Sequence, residues 1–264
     1  MKYFNAIRDN NGISMETLKQ SFPSLFAKRA SPKVSDRYLF LSTASILETV
    51  KDRFMVVEAR QRSVRLDGRD PRFTRHQVRL RARNVKPTIN GVYPELLFTN
   101  SHDGQSRGAL FGGLFRLICL NGLVISCGPS SGFSLRHVQS SKDMFSKFDE
   151  VLEVTQGATD SVNKMSAKKL SRPKQVAFAK AAAEVAYEAP DFDTSLLLQP
   201  RRVEDEGDDV WSVMNRVQEN IIRGGVSIPA SGDRTRPATL RGITHIGRDT
   251  AINQALWSLA EAAI

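Results

Sequence analysis

The most regular alternation of apolar and polar positions lies between Phe73 and Arg83. There His76, Val78, Leu80 and Ala82 fall on one side of an extended chain and Arg75, Arg79, Arg81 and Arg83 on the other. Before it, Phe54-Met55-Val56-Val57 begins a β-rich run reaching about Arg65, and Asp67-Gly68 with Pro71 supplies turn chemistry between the two. A β-hairpin is therefore predicted. Arg60 and Arg62 share one face of its first strand and Arg65 takes the other, unless a bulge intervenes. Tyr93 to Thr99 reads as a third strand, ending in the turn-forming Asn100-Ser101-His102-Asp103-Gly104. The apolar stretch Ala109 to Ile125 is interrupted by Gly112-Gly113 and Asn121-Gly122, which favours strand, turn, strand over one helix. Phe133 to His137 is a further short strand.

Helical periodicity takes over after about residue 140. Lys142 to Val154 is amphipathic through Phe145, Phe148, Val151 and Leu152, and the polar stretch Gly157 to Ser166 reads as a connection. Ser171 to Tyr187 is an Ala-rich helix with Pro173 in its first turn. Asp208 to Arg223 carries Val210, Met214, Val217 and Ile221 on one stripe and is closed by Gly224-Gly225. A loop rich in Pro and Arg, with Arg234, Arg236 and Arg241, leads to a last helix over Asp249 to Ala262. At the other end, Ser14 to Gln20 is a short helical signal followed by Pro23 and Pro32, so residues 1–36 are expected to form an arm. Leu39 to Val50 then reads as strand into helix, capped by Ser42 or Thr43. The expected class is α+β: a curved antiparallel sheet with a basic hairpin over 37–157, and packed helices over 158–264, as one domain or two.

Charge changes this picture. The 264 residues hold 38 Lys+Arg against 28 Asp+Glu, a formal +10, which makes polyanions the first partners to consider. Between Arg53 and Arg83 stand ten Arg and no Lys, against Glu58, Asp67 and Asp70, a local excess of seven. Guanidinium forks bind phosphate at two points, which ammonium groups do not. Two arrangements fit the same-face arginines of the second strand: pairing across strands with acidic residues elsewhere, or a face held for a polyanion. Tyr38, Phe40, Phe54, Phe73, Tyr93 and Phe133 lie in the same half, where they permit base stacking or fill the core. Two cysteines, Cys119 and Cys127, and no apolar leader point to a cytoplasmic protein, and no stretch reads as a membrane span.

The polar residues His76, Asn100, His102, Asp103, Asn121 and His137, with Cys119, sit at expected strand ends and turns and could converge. A convergent His/His/Asp set would suit a Zn²⁺ or Mn²⁺ nuclease, but no pair has HxxxH, HxH or CxxC spacing. Asn-Ser-His-Asp-Gly is equally what a hydrogen-bonded turn contains. Neither a GxSxG elbow nor a GxxxxGK[ST] loop is present. Glu204-Asp205-Glu206 and Asp208-Asp209 stand where carboxylates favour a helix start. No catalytic residue, metal or cofactor is expected.

The chain resembles the phage- and plasmid-associated family known as domain of unknown function 932. The resemblance lies in Arg75-His76-Gln77-Val78-Arg79-Leu80-Arg81, Asn100-Ser101-His102-Asp103-Gly104, Arg116-Leu117-Ile118-Cys119-Leu120-Asn121-Gly122-Leu123-Val124 and Arg136-His137. It continues through Pro200-Arg201-Arg202, Asn215-Arg216-Val217-Gln218-Glu219-Asn220-Ile221-Ile222-Arg223-Gly224-Gly225 and Leu256-Trp257-Ser258-Leu259-Ala260-Glu261. It implies a mobile-element setting beside genes for DNA handling and supplies no activity. The function expected from the residues is non-enzymatic nucleic-acid binding, with single-stranded DNA favoured and annealing as its use. Arg60, Arg62, Arg75, Arg79, Arg81, Arg83, Arg116 and Arg136 would track phosphates, while the helical half braces the sheet or mediates a homo-oligomer. The alternatives are a metal-dependent nuclease using His102, Asp103 and His137, and an anti-defence protein that binds an acidic host protein.

Overall fold

The structure, a computed structural model, describes residues 4–63, 69–87, 91–116, 122–124, 133–134, 141–187, 189–230 and 236–264. The fold is α+β. Strands β1 (Phe4–Arg8), β2 (Phe54–Arg62), β3 (His76–Ala82), β4 (Val92–Asn100) and β5 (Ala109–Arg116) form an antiparallel sheet in chain order. The expected hairpin is present as β2 and β3, paired from Phe54↔Ala82 to Gln61↔His76. After β6 (Gly122–Val124), the short β7 (Phe133–Ser134) pairs with the start of β5.

The chain forms two compact units, Met1–Ile118 with Val124–Gln156, and Cys119–Leu123 with Gly157–Ile264. In the first, Val56, Ala59, Val78, Leu80, Leu96, Phe98 and Leu110 line one face of the sheet. Against them pack Leu18 and Phe22 from α1 (Met15–Ser21) and its C-terminal cap, Ile46, Leu47 and Val50 from α2 (Thr43–Val50), and Phe148 and Val151 from α3 (Ser141–Ala167). Residues 1–36 are therefore not an arm: β1 extends the sheet, and Leu18, Phe22 and Leu25 are wholly buried. The apolar positions there are few and unevenly spaced, so their burial is visible only once the sheet gives them a surface.

One β-bulge decides what the other face carries. Strict alternation from Val56 would put Glu58 and Arg60 on the apolar side. The register instead shifts between Val56 and Glu58, so that Glu58 lies opposite Arg79 and Ala59 opposite Val78. Glu58, Arg60 and Arg62 thereby join Arg79 and Arg81 on the face away from the core.

The second unit holds α4 (Arg172–Ala186), α5 (Val210–Arg223), β8 (Gly224–Ile228), β9 (Ala238–Arg241) and α6 (Ile246–Glu261). The stretch Gly157–Ser166 is not a connection, since α3 runs unbroken to Ala167. Phe148, Val151, Thr155, Val162 and Met165 are its buried positions among the described side chains, at steps of three, four, seven and three residues that keep them on one stripe and outweigh the roughly 1 kcal/mol cost of Gly157. The Pro- and Arg-rich loop contains the hairpin of β8 and β9, too short and polar to register as alternating strands. Helix α5 is buried on every side from Val210 to Ile221, and not only along its apolar stripe. Two of its buried amides find partners outside the helix: Asn220 Nδ2 donates to the carbonyls of Leu197 and Gln199, and Gln218 Nε2 to Asn253 Oδ1.

Gly224 ends α5 with φ +66°, and a Cβ there would lie 2.2 Å from the Gly242 nitrogen. Gly224→Ala is expected to cost more than the roughly 1–2 kcal/mol of a left-handed residue, because the β9 backbone must also move. Urea unfolding measures this; an unchanged midpoint would contradict the close approach.

Candidate nucleic-acid interface

Pairing across strands is what the structure shows for the central arginines of β3. Arg79 and Arg81 are only 3% and 4% exposed, and Glu58 and Glu95 beside them 6% and 0%. Arg79 Nε lies 3.1 Å from Glu58 Oε2 and its Nη1 3.0 Å from Glu95 Oε2, while Arg81 Nε lies 2.5 Å from Glu95 Oε1. Arg81 also donates to the Asn10 carbonyl at 3.1 Å and stacks 3.9 Å over the Tyr93 ring. From the edge, Arg8 Nη2 reaches Glu58 Oε2 at 2.7 Å and Arg60 Nε reaches Glu58 Oε1 at 2.5 Å. Burial works against the ionised Glu58 carboxyl, but Arg60, Arg79 and Arg8 together hold it below the usual carboxylate range. For Glu95 burial wins and pushes the carboxyl up, against the pull of Arg79 and Arg81. These groups are turned toward one another, so Arg79 and Arg81 do not present guanidiniums to a phosphate backbone. Both carboxylates that pair them come from neighbouring strands.

The other arginines expected to bind lie differently. Arg60 and Arg62 are half-buried, Arg75 is half-buried just before β3, and Arg83 is exposed, with its Nε donating to the Lys51 carbonyl at 3.1 Å. The Arg116 side chain and the residues Asn121, Arg136 and His137, with Cys119, lie outside what the structure describes.

Of the polar turn cluster, His76, Asn100 and His102 do come together. His76 Nδ1 faces the Thr74 carbonyl at 3.2 Å and must donate to it, which leaves Nε2 to accept from the Thr43 hydroxyl at 2.8 Å. The same hydroxyl oxygen accepts from Asn100 Nδ2 at 3.1 Å. His102 Nε2 donates to the Ser24 carbonyl at 3.0 Å, and its ring lies 5.1 Å from that of His76 and 4.9 Å from Phe40. Burial lowers His76 to a pKa of about 3, with help from His102, and lowers His102 to about 4, so both rings are neutral at pH 7. Asp103 turns away to accept from the Gln105 N–H at 3.1 Å. Among the described residues no three His, Cys, Asp or Glu side chains stand close enough to hold a metal ion. Its geometry is that of a hydrogen-bonded turn.

That turn has a consequence for charge. The His102 N–H donates to the Phe73 carbonyl at 2.9 Å, its carbonyl accepts from the Ser31 N–H at 2.8 Å, and Tyr38 Oη donates to the Ser101 carbonyl at 2.7 Å. Arg69 Nη1 reaches Gln105 Oε1 at 2.6 Å, and Gln61 joins Ser24 to the Pro71 carbonyl. Segments 28–40, 69–75 and 101–108 are thereby tied together at one end of the sheet. They carry Lys28, Arg29, Lys33, Arg37, Arg69, Arg72, Arg75 and Arg107 against Asp36, Asp70 and Asp103, eight basic side chains to three acidic. Lys28, Arg29, Lys33, Arg37 and Arg107 are exposed and form no ion pair among the described residues, whereas Arg72 pairs with Asp70 at 2.6 Å. Leu39, between Tyr38 and Phe40, is 72% exposed in the same place. Sequence reasoning missed this end because its cations come from three separated segments. The run Lys28-Arg29-Ala30-Ser31-Pro32-Lys33-Val34-Ser35-Asp36-Arg37 was the available signal.

A family model described as "Domain of unknown function (DUF932)" matches residues 32–257. The chain belongs to this family. In Escherichia coli (strain K12) the UPF0380 proteins YfjQ and YafZ are 35% and 36% identical to it, each over 268 residues that cover 98% of this chain and 94% of the relative. No solved structure matches it. Two stretches that carry the DUF932 resemblance meet in the second unit. Arg201 Nε donates to Asn220 Oδ1 at 2.6 Å, and Arg202 Nη2 lies 2.8 Å from Glu219 Oε1, so Pro200-Arg201-Arg202 braces the end of α5. Among the described residues of this DUF932 chain, no helix is long and apolar enough to cross a membrane.

Proposed function

We propose that the protein binds nucleic acid through the basic end of its sheet, with single-stranded DNA the favoured ligand and no chemical step of its own. The observation that carries this reading is the eight-to-three excess of basic over acidic residues in three loops held together by buried hydrogen bonds. Cations on a braced surface meet phosphates at little cost in ordering. The exposed Leu39 beside Arg37 supports a single strand, because unstacked bases offer an apolar face that a duplex hides. Use of such binding in a mobile element, for annealing or protection of a strand, belongs to the same reading.

The affinity for a single-stranded oligonucleotide is expected to fall with salt, log against log, by about 0.7 per neutralised phosphate. The triple variant Lys33→Ala, Arg37→Ala, Arg107→Ala should bind roughly tenfold or more weakly at about 0.1 M salt, with a slope shallower by about 2 and an unchanged melting temperature. Fluorescence anisotropy with single-stranded, duplex and RNA ligands across salt measures all of this. Binding indifferent to salt and to the triple variant would remove the loop end from consideration.

A further inference from the structure

The first turn of α4 carries the opposite charge to the one a helix start favours. From Lys164 to Lys174 the chain holds Lys164, Lys168, Lys169, Arg172 and Lys174 and no carboxylate. Lys164 lies in the last turn of α3, where a cation is stabilising, but Arg172 and Lys174 lie in the first turn of α4, where the helix dipole opposes one. Ser171 is the N-cap, yet its hydroxyl makes no hydrogen bond to the helix, and Lys174 stands where a glutamate would complete a capping box with it. Pro173 has no N–H, and the N–H groups of Arg172 and Lys174 precede the first intrahelical bond, from the Gln175 N–H to the Ser171 carbonyl at 3.0 Å. Lys168, Lys169, Arg172 and Lys174 are exposed and form no ion pair among the described residues.

A buried guanidinium points at the same turn. Arg216 of α5 is 6% exposed, its Nε has no acceptor among the described residues, and its Nη2 reaches only Gln175 Oε1, at 3.5 Å. Gln175 Nε2 donates to the Leu170 carbonyl at 3.0 Å, just outside the helix, so its amide and the guanidinium beside it lie at the open end of α4. Burial, the largest effect, lowers the Arg216 pKa; Asp208 opposes this, Arg172 adds to it, and Asp205 and Asp209 oppose it. None of these carboxylates forms an ion pair with Arg216: Asp208 Oδ1 accepts from Gln175 Nε2, and Asp209 from the Ser212 N–H and hydroxyl. Asp193, which senses the charge of Arg172, accepts from the Ser195 N–H. A guanidinium and two helix N–H groups that all lack acceptors, next to a second guanidinium, share one need, which an oxyanion with several lone pairs fills.

We infer that the N-terminus of α4, with Arg172, Lys174 and Arg216, binds a phosphate group of a nucleic acid. The site lies within the second unit and goes beyond the loop end, on which it does not depend. Lys168 and Lys169, exposed just before the helix, extend the positive field past a single phosphate, which suits a polyanion.

Residues kept for a ligand at the expense of the fold behave differently from structural ones when they are removed. Arg172→Ala with Lys174→Glu deletes two exposed cations and completes the capping box, so its melting temperature in chloride should equal or exceed that of the parent. At matched ionic strength inorganic phosphate should raise the melting temperature of the parent and of the triple loop variant, but not of this α4 variant. The α4 variant should also bind a single-stranded DNA oligonucleotide roughly fivefold or more weakly. Arg216→Met keeps the stem of the side chain and should lose the phosphate effect with an unchanged melting temperature in chloride. A lowered one would make the arginine structural and overturn the site, as would phosphate that protects parent and α4 variant alike or protects neither. Oligonucleotides with and without a 5′-phosphate separate the sources: a loss confined to the phosphorylated strand assigns a terminal phosphate, and an equal loss on both assigns a backbone phosphodiester. Unchanged affinity for both strands overturns nucleic acid as the ligand. If only the triple loop variant loses DNA, this site fails and the loop end stands; if only the α4 variant does, the reverse holds.

Discussion

Glu95→Ala is expected to destabilise the protein by about 3–5 kcal/mol, the range for removing one partner from a buried ion pair. Glu95 is fully buried and faces two guanidiniums, from Arg79 at 3.0 Å and from Arg81 at 2.5 Å. Without it, Arg81 keeps neutral contacts, to the Asn10 carbonyl and Oδ1 and to the Tyr93 ring, and Arg79 leans on a Glu58 already shared with Arg8 and Arg60. Against a total stability of about 5–15 kcal/mol such a loss is large enough to bring the variant near unfolding at moderate temperature. Much of it should be recovered by removing both sides: Glu95→Met with Arg81→Met should lose clearly less than the sum of the single variants, since no unpaired charge is then buried. Urea unfolding of the three variants and the parent measures the cycle. Additive losses, or a Glu95→Ala variant as stable as the parent, would show that the network does not hold the sheet together.

Acid should weaken the fold before the Glu58 carboxyl, which is held low, begins to titrate. His76 and His102 are buried and neutral, with pKa values lowered from 6.5 to about 3 and about 4. Below pH 6.5 the unfolded chain binds protons that the folded chain refuses, so stability falls with pH by about 1.4 kcal/mol per unit for each histidine. The loss continues to about pH 4 for His102 and about pH 3 for His76. Between pH 7.5 and pH 5.0 the two should cost about 4 kcal/mol together. Glu58, whose carboxyl is held low, adds a separate loss that begins only below about pH 4.5. Urea unfolding at pH 7.5 and 5.0 tests this, with His102→Gln expected to remove roughly half of the difference. Equal stability at the two pH values would contradict the buried, neutral rings.

The sheet was legible because its strands obey simple rules. Alternation in His76 to Ala82 and the turn chemistry before it define the hairpin, and the chain order of β2, β3, β4 and β5 follows from their comparatively short connections, whereas β1 joins from across residues 9–53. Helices α4, α5 and α6 announce themselves through Pro173, Gly224 and their apolar spacing. The continuity of α3 across Gly157 was not legible, since its polar stretch hides Val162 and Met165 until a partner surface exists. Nor was burial of both sides of β3, because period two says which residues share a face and nothing about what covers it.

By itself the sequence determined the class of the fold, the family, the local excess of arginine between Arg53 and Arg83, and which arginines share a side of β3. Those are properties of composition and of short-range period. Only the tertiary structure decided what the arginines do. A one-residue bulge at Val57 brings Glu58 across from Arg79, and pairing of β3 with β4 brings Glu95 between Arg79 and Arg81, so the most basic strand spends its charge inward. The cations left facing outward lie in loops far apart in the chain and are assembled by hydrogen bonds around His102. Whether a charge is paired or available depends on a neighbour tens of residues away, and register and loop closure, which local pattern does not encode, choose that neighbour.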